Sequence, residues 1–123
     1  MKANELRLGN IILLDNCQER IDSITENILS VEGMNGCYSI SEIKPISLTE
    51  QWLIDFGFHY LKTMEGYKIY ELNNIRLSIY MSNDKNGAWL SVYRGTIIVK
   101  FIHQLQNLYY ALTGEKLTKI NEL

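Results

Sequence analysis

The chain holds two imidazoles and two thiols, His59, His103, Cys17 and Cys37, the groups that would carry nucleophilic catalysis or bind a transition metal. A thiol dyad needs a base beside it, and neither histidine stands in a recognised local motif with a Cys, Ser or acid. Any such dyad would have to form through tertiary contact. No C-x-x-C, no H-x-x-x-H and no acid cluster at ligand spacing occurs. Gly33-Met34-Asn35-Gly36 has the form of a G-x-x-G nucleic-acid clamp, but that clamp joins two helices and strand patterns flank it here, so the segment reads as a hairpin turn. The expectation is a non-enzymatic protein with no catalytic residue, no metal and no cofactor.

Two surfaces remain on which recognition could be built. Seven of the eight tyrosines, with Trp89, lie in the half of the chain with excess base. A sheet that presents Tyr80, Trp89 and Tyr93 between Arg76 and Arg94 would stack single-stranded bases and contact phosphate. The second surface is a stripe at helical spacing, His103, Gln106, Asn107 and Tyr110, whose composition suits a hydrogen-bonded protein contact with one aromatic anchor. A different role for Gln106 and Asn107 is burial against the N-terminal strands as structural hydrogen-bonding groups.

Composition narrows the setting. Of 123 residues 46% are hydrophobic and 21% charged, with a single proline, which excludes a disordered or collagen-like chain. At this length roughly two-thirds of the extended-chain surface can be buried without metal or disulfide staples. The net charge of -2 names no electrostatic partner, although the acids concentrate before residue 58 and the bases after it. Two cysteines are too few for a disulfide scaffold, and no apolar stretch near the N-terminus is long enough for a signal peptide or membrane span. Those signs point to the cytoplasm, free thiols buried as small hydrophobes, and no membrane partner.

The elements that must position these residues follow from periodicity and punctuation. Short strand patterns run over 10–15, 19–25, 27–32 and 37–40, the meander of a strongly bent sheet of SH3-like kind. Pro45 stops it. Thr49 then caps a short helix that ends at Gly57, with Phe58 folding back on its apolar face. Strands follow over 59–63, 67–72, 75–82, 88–94 and 97–101, where Ile75, Leu77, Ile79 and Met81 form one face and Leu90 and Val92 join it. A last helix over 102–113, closed by Gly114, carries the stripe Ile102, Leu105, Leu108, Tyr109 and Leu112, and is expected to cover the apolar face of this second sheet.

The blocks N-E-L-R-L-G-N at 4–10, P-I-S-L-T-E-Q-W-L-I-D-F-G-F at 45–58 and H-Q-L-Q-N-L-Y-Y-A-L-T-G-E-K-L at 103–117 cover under a third of the chain. In order and spacing they resemble a family of small proteins, without an assigned activity, of Bacteroides-type bacteria and their phages or integrated elements. Tyr110 stands where that family often has Phe, and Lys116 where it often has Glu. The resemblance implies an intracellular, mobile-element-encoded protein and no particular activity.

The sequence therefore predicts a single α+β domain over 1–123, with sub-lobes 1–47 and 48–123. It comprises an N-terminal bent antiparallel meander, a short linking helix and an antiparallel sheet covered by a C-terminal helix. Its expected role is a protein-interaction module acting on an unknown protein partner or on a second copy of itself. Single-stranded nucleic-acid binding is the alternative.

Overall fold

A computed structural model describes residues 5–25, 28–34, 36–72, 77–82, 88–92 and 95–120. The architecture is α+β, with two antiparallel sheets and one long helix. The chain divides into two compact units, residues 1–47 with 101–116, and 48–100 with 117–123.

In the first unit, β1 (Ile11–Leu14) and β2 (Cys17–Ile24) form a hairpin in which Leu14 pairs with Cys17. The two turn residues, Asp15 and Asn16, both have positive φ (50° and 64°), the primed turn that matches strand twist; short polar side chains tolerate it better than most. β3 (Ile28–Val31) and β4 (Tyr38–Ser39) continue the meander, and between them Gly33 and Gly36 take positive φ as the turn reading requires, Asn35 lying outside the described residues. A 3-10 turn, Ile40–Glu42, is capped by Ser39, whose backbone N–H donates in return to Glu42. It returns the chain to β5 (Ile43–Lys44), which pairs with β1. The resulting order is β4-β3-β2-β1-β5, an antiparallel meander with β5 returned to its first strand. β5 is invisible in the sequence because two residues are too few to show alternation. Leu6, Ile12, Leu14, Ile21, Leu29, Val31 and Ile43 form this unit's core.

The long helix α2 (Ile102–Thr113) belongs to this first unit, and here the structure corrects the sequence reading, which placed it over the second sheet. Its buried face comprises Ile102, His103, Leu105, Gln106 and Tyr109, whereas Leu112, expected in the apolar stripe, is 49% exposed. The buried arc is thus rotated toward His103 and Gln106; the Gln106 carboxamide meets backbone groups at the start of β1 rather than water.

In the second unit α1 (Glu50–Asp55) begins at Thr49, whose hydroxyl accepts from the Trp52 N–H at 3.3 Å. It ends in a complete Schellman motif: Phe58 N–H donates to Leu53 O, Gly57 N–H donates to Ile54 O, and Gly57 has φ 97°. β6 (His59–Met64), β7 (Tyr67–Leu72), β8 (Leu77–Ser82), β9 (Ala88–Val92) and β10 (Gly95–Val99) follow as a meander in strict order. β10 starts at Gly95, which pairs with Val92, so Gly95 and Thr96 are strand residues rather than the turn the sequence suggested.

Tyr70, Ile79, Leu90 and Ile97 lie in one cross-strand row, and Lys68, Met81, Ala88 and Val99 in the next row on the same face. Ile79 and Met81 are buried there, as the alternation predicted, and Val99 is buried with them. The element standing on this face is α1. Glu50 pairs with Lys68 at 3.3 Å and takes the Tyr70 hydroxyl hydrogen bond, and a side chain at Gly57 would meet Leu72. A six-residue helix with Trp52, Leu53 and Phe56 buried thus does the covering that the sequence assigned to the twelve-residue one.

Candidate interaction site

Three surfaces compete for a recognition role, and the structure treats them differently. The helical stripe His103, Gln106, Asn107 and Tyr110 is turned largely inward. Gln106 Oε1 accepts from the Ile11 N–H at 2.9 Å, and its Nε2 donates to Gly9 O at 3.2 Å. Asn10, 2% exposed, donates to Asn107 Oδ1 at 2.9 Å and to Gln106 Oε1 at 3.4 Å, while its own oxygen accepts from the Arg7 N–H. Asn107 Nδ2 donates to Glu5 O at 2.8 Å. Three carboxamides therefore satisfy the backbone groups of the turn that precedes β1, a turn that needs Gly9 at φ 89°.

As a docking surface this stripe is thereby corrected: Gln106 and Asn107 are structural, His103 is 1% exposed, and of the four only Tyr110 faces solvent. The blocks at 4–10 and 103–117, singled out in the sequence, are the two partners of this clamp.

The aromatic and basic surface is described only in part. Arg76, Tyr93 and Arg94 lie outside the described residues, and of Trp89 the strand position is defined. Register places Tyr80 directly opposite Trp89, in a row running Lys62, Ile69, Tyr80, Trp89, Ile98 on the face opposite α1. Ile69 is buried within that row, Tyr80 is partly buried, and Lys62 and Ile98 are exposed.

The third surface was not read from the sequence. β6 is an edge strand of its sheet, and all six of its residues, His59 to Met64, are exposed. Three of them are large and apolar: Tyr60, Leu61 and Met64, each about half exposed. A register shift between Tyr60 and Lys62 makes Leu61 the extra residue of a bulge. The Tyr60 ring stands edge-on to Tyr70 at 5.9 Å, and burial, followed by the Glu50 carboxylate, pushes the Tyr70 phenol above its usual range. The signal that could have found this edge is the pair Tyr60-Leu61 in a strand whose neighbour alternates cleanly, but exposure depends on which strand ends the sheet.

Among the described residues no group of three His, Cys, Asp or Glu is placed to hold a metal ion, and no helix is long and apolar enough to cross a membrane. Cys17 and Cys37 are both exposed, contrary to the expectation of buried thiols: Cys17 follows the β1–β2 turn and Cys37 precedes β4, where neither has a core to enter. His59 lies on the exposed β6 and His103 in the first turn of α2. No protein-family model, curated protein or solved structure matches the chain.

Proposed function

We propose that the protein is a non-enzymatic interaction module that receives an extended segment of a partner protein along the outer edge of β6. The observation that carries this reading is a six-residue edge strand exposed at every position and bearing Tyr60, Leu61 and Met64. An unpaired strand edge supplies a row of backbone donors and acceptors, so an added strand gains main-chain hydrogen bonds, while alternate side chains give selectivity. The bulge at Leu61 and the charge of Lys62 restrict indiscriminate pairing, which leaves a chosen partner rather than aggregation as the use of the edge. Charge specifies that partner further. β6 carries Lys62 and no acid, so the incoming strand has apolar residues at alternate positions and an Asp or Glu to meet the ammonium. The resemblance to proteins of phages and integrated elements agrees with a host protein as that partner.

The test is selection of displayed extended peptides on the full chain, followed by amide exchange of the complex. Selected peptides should protect amides of β6, and Leu61→Glu combined with Met64→Glu should weaken their binding about tenfold or more with little change in melting temperature, since both side chains are exposed. Peptides that bind without protecting β6 would sink the reading. Salt-dependent oligonucleotide binding that perturbs Tyr80 and Trp89, and no strand binding, would replace it with the nucleic-acid alternative.

A further inference from the structure

We propose that His103 makes the attachment of α2 to the first sheet labile to mild acid, so that protonation of this one ring releases the carboxamide clamp. The ring is 1% exposed, and neither Nδ1 nor Nε2 has a hydrogen-bond partner among the described residues. Its flat neighbour is Phe101, parallel to within 8° at 5.9 Å, an apolar face that supplies no acceptor. A neutral imidazole in such a place loses a hydrogen bond or two; an imidazolium carries two donors and a full charge with nothing to receive them.

Position adds to this. His103 is the second residue of α2, at the positive end of the helix dipole, where a cation is disfavoured. Neither α2 nor β1 contains an Asp, Glu, Lys or Arg. Among the described residues the charged group that acts on the ring is the Glu5 carboxylate, which favours the proton; burial outweighs it and holds the imidazole below its ordinary range. The folded state therefore binds the proton less readily than any state with the ring in water. Stability is intact above about pH 6.5 and is lost as pH falls from there toward the lower folded value.

His103 lies one helical turn before Gln106 and Asn107. A ring that must leave to be protonated takes the first turn of α2 with it, and the bonds from Gln106 to Ile11 and Gly9 and from Asn107 to Asn10 and Glu5 are the next to open. The consequence is a local opening of α2 from β1, independent of what β6 binds.

Because the chain has two histidines, and His59 is exposed on β6, an imidazole titration followed by NMR assigns each ring without ambiguity. Between about pH 7 and about pH 5, protonation of His103 should coincide with a lower protection factor for the Ile11 amide, its exchange being compared with the intrinsic rate at each pH, and with loss of its hydrogen bond to Gln106. In His103→Phe the fall in melting temperature over the same range should be shallower than in the wild type. If His103 titrates while the Ile11 and Gln106 signals stay native, the proposal fails. It fails equally if His103→Phe folds and keeps the wild-type acid slope. Should that variant not fold, the wild-type titration alone decides.

Discussion

Gln106 is the residue on which the helix attachment turns. Its single carboxamide serves the Ile11 N–H, the Gly9 carbonyl and the Asn10 side chain, all at the buried start of β1. Gln106→Ala removes the side-chain partner of the Ile11 N–H and of the Gly9 carbonyl, while Asn10 keeps its bond to Asn107, and each buried orphan costs about 1–3 kcal/mol. We expect a lowered denaturation midpoint with an unchanged denaturant slope for Gln106→Ala, whereas Tyr110→Ala, four residues on and half exposed, should leave the midpoint within about 0.5 kcal/mol of wild type. Equal losses in the two variants would show that the stripe is not divided as described. The residue types of this stripe were legible in the sequence, and so was burial against the N-terminal strands as one of its roles. What spacing could not supply is direction. Polar side chains at i, i+3 and i+4 look the same whether they face water or a backbone turn that needs three hydrogen bonds.

At the scale of elements the clearest local signals held. Thr49, Leu53, Gly57 and Phe58 form the capped and closed helix that their order predicts, because caps and Schellman motifs are short-range chemistry. Gly57 adopts φ 97°, and a side chain there would lie within 3.7 Å of both Ile120 and Leu72. Gly57→Val combines a β-branched residue at positive φ with crowding, so a loss of about 1–3 kcal/mol is expected, read as a lower thermal midpoint; Gly57→Asn should lose less. A Val variant as stable as wild type would mean that the α1 ending has another conformation open to it. The elements that escaped the sequence were those below the length at which periodicity exists. β5 has two residues and the 3-10 turn three, and both are placed by pairing with β1 and by the Ser39 cap rather than by pattern.

Residues 48–100, the larger part of the second unit, lie in the chain between the two segments of the first. Residues 48–100 leave and re-enter the first unit side by side: Ser47 bridges Phe101, the Ile102 N–H donates to Ile46 O, and within the second unit the Leu48 N–H donates to Lys100 O. The first unit comprises 1–47 with 101–116, and the second 48–100 with 117–123. Since Ser47 and Phe101 are cross-strand neighbours, joining them through an Asn-Gly turn should preserve the first unit with its core of Leu6, Ile12, Leu14, Ile21, Leu29, Val31 and Ile43. The prediction is that a chain lacking 48–100, joined in this way, melts cooperatively and retains the slow exchange of the Ile11 amide. A non-cooperative melt would show that this unit does not hold together alone, as its small size makes the margin narrow.

The sequence alone determined the α+β class, the antiparallel first meander, both helices with their ends, and the inward row of Ile79 and Met81, because caps, turns and alternation act between residues close along the chain. Only the tertiary structure decided which sheet each helix belongs to, that His103 and Gln106 are buried, and that β6 lies exposed at an edge. The burial of His103 and Gln106 depends on pairings some ninety residues apart, such as Asn10 with Asn107, whose energies leave no periodic trace in either partner segment.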